Sequence, residues 1–219
     1  IDRQTGEWLL ARDPFGIKPL YYAHTPRAFV FASEIKALLE HPAIQPRVHP
    51  NALQHYLTFQ FCLYGETLFE GVRQLEPGFF AQGRGNEPVR IERYWDTNYH
   101  VDENHSEGYF EAGLLSLLQD SARLQIRSDV PVGAYLSGGI DSSIVASMAS
   151  AHLGDTIPVF HGRFAEGAAY DESPHAKAVA GDINAEFSEV VPDAKQFVEA
   201  MPEIIYALDE PVAGPGAFP

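Results

Sequence analysis

Val130-Pro131-Val132-Gly133-Ala134-Tyr135-Leu136-Ser137-Gly138-Gly139-Ile140-Asp141-Ser142-Ser143 is the stretch whose reading decides the fold of this chain. An apolar run, read as a buried strand, enters a Ser-Gly-Gly loop, and an Ala-rich helix is expected from about Ser142 to His152. Strand, glycine loop and helix start together build an anion site. The N–H groups of a helix's first turn lack partners, and the helix dipole favours negative charge there. Gly138 and Gly139 let the backbone take φ > 0 and approach a ligand with no Cβ in the way. Ser137, Ser142 and Ser143 add hydroxyl donors. Asp141 places a carboxylate beside the bound anion, which is repulsive unless a divalent cation lies between them. It therefore reads as a Mg²⁺ ligand, with a helix cap as the alternative.

The pattern G-x-x-x-x-G-K-[ST] occurs nowhere, so this is not a Walker loop. S-G-G-x-D-S-S behind an apolar strand resembles the pyrophosphate loop of the ATP pyrophosphatases, which activate a carboxylate or carbonyl as its adenylate and release pyrophosphate. The resemblance implies ATP as substrate, with Mg²⁺ as its counterion.

At 219 residues the chain suits one large or two incomplete domains. It begins at Ile1 without a methionine and is expected to be a piece of a longer protein. Hydrophobic residues make up 45% and aromatic residues 12%, enough for packed cores and against disorder. A single cysteine excludes an internal disulfide, which agrees with a reducing cytoplasm. No signal peptide and no apolar run of membrane-spanning length is present, so no membrane is expected. The net charge of −15 is uneven: residues 1–105 carry −3 and residues 106–219 carry −12. An acidic half lacks the clustered Lys and Arg that nucleic-acid phosphates require. It also means that Mg²⁺, or basic residues outside this stretch, must supply the countercharge for ATP.

The N-terminal half reads as strands at Glu7–Arg12, Pro19–Ala23 and Ala28–Ala32, with a turn at Asp13-Pro14-Phe15-Gly16. Ser33 is expected to cap a short helix, Glu34–Leu39. Together these give a twisted antiparallel sheet with a covering helix. A further helix is expected over 51–64, then strands at Phe79–Ala81 and Arg90–Trp95. The polar stretch from Asp96 to Ser106 reads as linker, with His100 and His105 solvated.

Arg12-Asp13-Pro14-Phe15-Gly16-Ile17-Lys18-Pro19-Leu20-Tyr21-Tyr22, followed by Phe31-Ala32-Ser33-Glu34-Ile35-Lys36-Ala37-Leu38, resembles the back half of a class II glutamine amidotransferase domain. With S-G-G-x-D-S-S behind it, the pairing resembles the glutamine-hydrolysing asparagine synthetase family over nearly the whole chain. In that family the glutaminase nucleophile is an N-terminal cysteine, which lies upstream of Ile1 together with the Asn-Gly oxyanion residues. Cys62 stands among aromatic residues and reads as an inert small hydrophobe rather than a nucleophile.

In the acidic half, Ser106 is expected to cap a long amphipathic helix carrying Phe110, Leu114, Leu117 and Leu118. After the loop helix, Ile157–His161 and Glu186–Val191 read as parallel strands, with a helix between them capped by Asp171. Phe197, Met201 and Ile205 read as a core stripe of a last helix. The resemblance implies that the residues before Ser137 and before Gly162 flank the adenine. That nominates Leu136 and His161, where the family usually has Val or Ile at the second place. An adenine contact and a hydrogen-bonded structural role are both open for His161.

The resulting fold class is α+β followed by α/β. Residues 1–96 are the C-terminal part of an Ntn-type αββα glutaminase domain and 97–106 a linker. Residues 107–219 begin a doubly wound parallel-sheet domain of the ATP-pyrophosphatase (adenine nucleotide hydrolase-like) kind. The family's reaction is ATP-dependent amidation of aspartate through an acyl-adenylate, with ammonia from glutamine. ATP, aspartate and glutamine are the implied small-molecule partners, and a homodimer of the full-length protein is compatible with the family. The predicted ATP and pyrophosphate residues are Leu136, Ser137, Gly138, Gly139, Asp141, Ser142, Ser143, His161 and Gly162, with Asp141 catalytic through its metal. Gly214-Pro215-Gly216 stands where the family often has Asp-Pro-Ser, after a D-E-P segment at Asp209-Glu210-Pro211. Two alternatives follow: a divergent amidotransferase or β-lactam synthetase-like enzyme acting on another carboxylate, or a non-catalytic nucleotide-binding remnant.

Overall fold

Tyr21-Tyr22-Ala23 sets the layers of the N-terminal half, because all three side chains are buried although neighbours on a strand point to opposite faces. The structure, a computed structural model, describes residues 1–85, 87–154, 156–164 and 171–211. Two units form around separate cores. Ile1–His100 with residues 202–211 make the first, and Val101–Met201 the second.

The first unit contains β1 (Glu7–Ala11), β2 (Tyr21–His24), β3 (Phe29–Ala32), α1 (Ile35–Leu39), α2 (Pro50–Phe59), β4 (Val72–Gln74), β5 (Phe79–Arg84) and β6 (Arg90–Arg93). They form two antiparallel three-stranded sheets, ordered β1-β5-β6 and β3-β2-β4, so the first three strands, expected to share one sheet, are divided between the two. The reason lies in β2. Tyr21 and Ala23 pack on Ile35 and Leu38 of α1, while Tyr22 packs with Ala81, Trp8, Leu10 and Ile91 of the other sheet. Trp8 and Tyr22 both stack on Phe29, at centroid distances of 5.0 and 5.4 Å. The layers therefore run helix, sheet, sheet.

Arg12 and Asp13 wire the turn between β1 and β2. Arg12 is 7% exposed, and its guanidinium donates to three carbonyls: Lys18 at 3.0 Å, Leu75 at 2.7 Å and Gly16 at 2.8 Å. Only a planar fork of five donors satisfies three backbone acceptors at once. The Asp13 carboxylate accepts from the backbone N–H groups of Phe15, Ile17 and Lys18. Those bonds, Lys18 and Ile17 foremost, hold its carboxyl below the usual range. Gly16 lies at φ +66°, and a Cβ there would meet Pro77 Cγ at 2.8 Å. The Asp-Pro-Phe-Gly segment is thus a turn, as expected.

Helix boundaries differ from the sequence reading in two places. α1 starts at Ile35, and neither Ser33 nor Glu34 caps it; its first N–H groups bond instead to the distant carboxylate of Asp209. α2 is shorter than the expected 51–64. The His49 ring accepts from Ala52 N, and Gln60, left-handed at φ 68°, ends the helix.

The second unit contains α3 (Glu107–Gln125), β7 (Ala134–Tyr135), α4 (Ile140–Leu153), β8 (Pro158–Gly162), α5 (Ser173–Asp182) and β9 (Glu186–Val190); α6 (Ala194–Leu208) runs from it into the residues of the first. Ser106 caps α3 as expected, accepting from Tyr109 N. β7, β8 and β9 are parallel and lie in sequence order. β7 is far shorter than the expected strand over Val130–Leu136. Pro131 has no N–H to give to the ladder, and Gly133 lies so close to β8 that a Cβ would meet the Phe160 ring at 2.8 Å. The core joins Leu136, Ile157 and Val159 from the sheet layer to Ala146 and Ala149 of α4 and Ala176 and Ala180 of α5. Alanines on both helices let them close on the sheet.

Two further expectations need correction. At the start of α5, Asp171 accepts from Ser173 N, but Glu172 occupies the cap position and makes no side-chain cap. On α6, Phe197 and Ile205 are only half-buried and Met201 is exposed, so the stripe is not a closed core among the described residues.

Arg12→Met keeps the apolar stem and removes the fork. Charged hydrogen bonds contribute more than neutral ones, so unfolding free energy should fall by about 3 kcal/mol. Both tryptophans, Trp8 and Trp95, lie in the first unit, so their fluorescence in a urea titration reports it. A loss under about 1 kcal/mol would show that water satisfies these carbonyls equally well.

Candidate nucleotide site

The loop between β7 and α4 begins where Leu136 is anchored. Its side chain is 1% exposed in the core, and its N–H donates to Phe160 O at 2.9 Å. Its carbonyl accepts from His161 Nδ1 at 2.8 Å. A carbonyl only accepts, so Nδ1 is the donor in this bond. Nε2 lies 3.0 Å from the Ser173 hydroxyl at the start of α5. The imidazole, 3% exposed, thus ties the strand end before the loop to the helix behind it.

Gly138 takes φ +95°, and a Cβ there would meet Glu172 O at 2.7 Å and Ala176 N at 3.1 Å. The loop therefore presses backbone to backbone on the first turn of α5, which only glycine permits. Inside the loop, the Ser137 and Ser142 hydroxyls lie 2.9 Å apart. Ser137 Oγ accepts from Gly139 N, and Ser142 and Ser143 both donate to Gly139 O. α4 starts directly after Gly139, two residues earlier than expected, and no side chain caps it. Its first backbone bond runs from Ser143 N to Gly139 O, so the N–H groups of Ile140, Asp141 and Ser142 precede the ladder. They are donors at the positive end of a 14-residue helix.

The structure thus brings Leu136 and His161 together, and joins Ser137, Gly139, Ser142 and Ser143 in one hydrogen-bonded loop. Gly162 ends β8, exposed and paired with Val190 of β9. Asp141 stands exposed in the first turn of α4. Among the described residues no group of three or more His, Cys, Asp or Glu is set to hold a metal. One free carboxylate at the loop suits Mg²⁺, which takes one or two protein carboxylates and completes its shell with phosphate and water oxygens.

Ser173, Glu189, Lys177 and Arg163 are neighbours that the sequence did not single out. Glu189 Oε1 forms an ion pair with Lys177 Nζ at 3.0 Å and lies 3.7 Å from Arg163 Nε. The Lys177 ammonium is the main cause that lowers the Glu189 carboxyl. Ser173 does the same for Asp171 through its hydroxyl and its N–H. The signal for Ser173 was present in Asp171-Glu172-Ser173, but it read as a helix start alone.

In the first unit, burial, with help from Glu210 and Glu66, pushes the Cys62 thiol up to about 11. Its Sγ lies 3.7 Å from Ala52 O. A thiol so raised supplies almost no thiolate at neutral pH, which agrees with an inert residue.

Comparison with known proteins divides the chain in the same sense as its chemistry. The family model for the glutamine amidotransferase domain matches residues 1–95, and that for asparagine synthase matches residues 113–219. A protein of Mycobacterium tuberculosis named putative asparagine synthetase [glutamine-hydrolyzing] is 40% identical over 100% of this chain and 34% of its own length. Asparagine synthetase [glutamine-hydrolyzing] 1 of Bacillus subtilis is 34% identical over 95% of the chain and 32% of its own. Amidase chry2 of Gibberella zeae is 29% identical over 96% and 33% respectively. The chain thus spans about a third of the length of the curated relatives it matches.

Gly138→Ala should break the loop, since the new Cβ meets backbone rather than a yielding side chain, at a φ that alanine resists. Affinity for Mg-ATP, measured by calorimetry, is expected to fall at least about tenfold, with far-UV dichroism retained. Equal affinity in the variant would mean that the ligand does not need this loop shape.

Proposed function

Because the chain belongs to the glutamine-hydrolysing asparagine synthetase family, we propose that the protein it represents amidates aspartate at the expense of ATP, using ammonia from glutamine. On this reading residues 1–96 are the rear part of an Ntn-type αββα glutaminase domain, and 97–106 a linker. Residues 107–219 open a doubly wound ATP-pyrophosphatase domain. The observation that carries the reading is the uncapped start of α4 behind a glycine loop whose serines are already bonded to one another.

ATP would lie with its β- and γ-phosphates at Ser137–Ser143 and its adenine at the carboxyl ends of β7 and β8. Leu136 and His161 bury their side chains, so their contribution there is through backbone and position. Gly162, without a side chain, leaves room beside them. Asp141 would hold Mg²⁺, which when bound supplies countercharge that this acidic unit lacks. The aspartate carboxylate attacks the α-phosphorus, and the bond to the bridging oxygen breaks. Negative charge then grows on the departing pyrophosphate, where the N–H groups of Ile140–Ser142 would receive it. Such donors are fixed before reaction and need no reorganisation, which is why preorganised electrostatics contributes so much. Ammonia attacks the carbonyl of the adenylate, AMP leaves, and an amide remains.

A relative named an amidase is also matched over nearly the whole chain, and the second reading is the same chemistry on a different carboxylate. Substrate competition separates the two, since only the acceptor differs. The segment Gly214-Pro215-Gly216, which raised that alternative, lies outside the described residues.

Asp141→Asn keeps the size of the side chain and the backbone donors but removes the anionic oxygen that a hard cation prefers. In the full-length protein, pyrophosphate release should fall by on the order of 10²-fold, while glutamate release from glutamine persists. The Mg-dependent thermal shift with ATP should shrink in parallel. Pyrophosphate release at the parent rate with unchanged Mg²⁺ dependence would make Asp141 a helix-end residue only. Absence of pyrophosphate from the parent itself would favour the nucleotide-binding remnant.

A further inference from the structure

The peptide between Leu136 and Ser137, where the strand end meets the loop, is held at both of its polar ends. Its carbonyl accepts from His161 Nδ1 at 2.8 Å, a buried bond. Its N–H, that of Ser137, donates to Ser142 Oγ at 3.2 Å in the exposed loop. Ser142 Oγ lies 2.9 Å from Ser137 Oγ and donates to Gly139 O at 3.1 Å, so the second bond leads straight into the loop. A peptide is planar, and turning it would carry both groups away from their partners at once.

The imidazole is itself fixed by groups from α5 and β9. Nε2 meets the Ser173 hydroxyl at 3.0 Å, and the ring stacks on Phe187 at a centroid distance of 5.9 Å. Ser173 is 4% exposed, and its N–H donates to Asp171 Oδ1 at 3.0 Å. The Ser173 hydroxyl and N–H together hold the Asp171 carboxyl below the usual range. Both ring nitrogens of His161 are thus engaged inside the protein, and the buried imidazole has no polar edge left for a purine.

We propose that His161 and Ser173 are positioning residues for the pyrophosphate loop, which they set through the Leu136–Ser137 peptide, and that neither reads the adenine base. The proposal rests on the functional reading above and names the part of ATP that these residues serve. Loop N–H groups stabilise charge on pyrophosphate best when their direction is fixed beforehand. Valine in place of His161 would suit a strand, yet it would leave the Leu136 carbonyl and the Ser173 hydroxyl buried without this partner. The carbonyl regains a partner by turning toward water, and the plane that aims Ser137 N–H turns with it.

The test uses the full-length protein with the variants His161→Val, His161→Asn, Ser173→Ala and the double variant His161→Val/Ser173→Ala. Hydrogen exchange in the ligand-free protein reads the strand end. The Leu136 amide, bonded to Phe160 O, should exchange at least about tenfold faster in His161→Val. Calorimetry with Mg-ATP, Mg-GTP and inorganic pyrophosphate reads the site. His161→Val should weaken Mg-ATP and pyrophosphate alike, by at least about fivefold each, and leave the preference for ATP over GTP unchanged. His161→Asn keeps a side-chain N–H close to the place of Nδ1 and should recover Mg-ATP affinity to within about twofold of the parent. Ser173→Ala should cost less than His161→Val, and the double variant no more than His161→Val alone, since the two side chains act as one. Parent exchange in His161→Val overturns the fixing of the strand end, and faster exchange with parent affinities overturns the service to the loop. An altered preference for ATP over GTP with parent pyrophosphate affinity puts the imidazole against the base and overturns the proposal. Equal losses in the valine and asparagine variants overturn the role of the bond to Leu136, and additive losses overturn the pairing with Ser173. A parent that binds neither nucleotide nor pyrophosphate overturns the functional reading, while exchange still judges the positioning.

Discussion

One hydrogen-bonded imidazole holds the candidate site in shape. His161 joins the carbonyl of Leu136, the last residue before the loop, to the hydroxyl of Ser173, the first residue of α5. Without it a buried carbonyl and a buried hydroxyl would both need partners, at a cost of roughly 1–3 kcal/mol each. With it, the end of β7 cannot shift independently of α5. Gly138 then completes the constraint from the other side, because its backbone rests on Glu172 and Ala176 with no room for a side chain. The serine hydroxyls bond within the loop, so its shape does not wait for a ligand.

This constraint explains how a very short strand suffices. β7 has only two residues. Leu136 extends its hold through N–H to Phe160 O, and the imidazole takes the carbonyl on the other side of the same residue. The first unit uses the same logic at Arg12 and Asp13. There a fork of donors and a carboxylate replace regular ladder bonds over a turn that neither strand could hold alone. In both places a charged or aromatic polar side chain supplies local order where the backbone pattern ends.

The loop and its helix were legible in the sequence because their chemistry is local: glycines, serines and an alanine-rich helix stand within a few residues. β2 was legible as a strand, but its burial on both faces was not, since nothing in Tyr21-Tyr22-Ala23 tells which layer each ring meets. The cap of α1 was misread for a related reason. Ser33 offered a local solution, and the actual partner, Asp209, is distant in sequence. His161 was noticed as a departure, yet its role depended on Ser173, which looked like an ordinary helix start. The stripe on α6 shows the converse: apolar spacing marks a face, but a partner must cover that face to make it core. Long-range side-chain partners, not local propensity, account for most of the differences.

The central claim is that this loop serves the formation of an aspartyl-adenylate. Isotope transfer tests it most directly, because it reports which oxygen attacks which phosphorus. The full-length protein would be given ATP, glutamine and aspartate labelled with ¹⁸O in its side-chain carboxylate, and the products examined by mass spectrometry. The account predicts AMP carrying one labelled oxygen, in step with pyrophosphate and asparagine. Label in inorganic phosphate, with ADP as the nucleotide product, would contradict it.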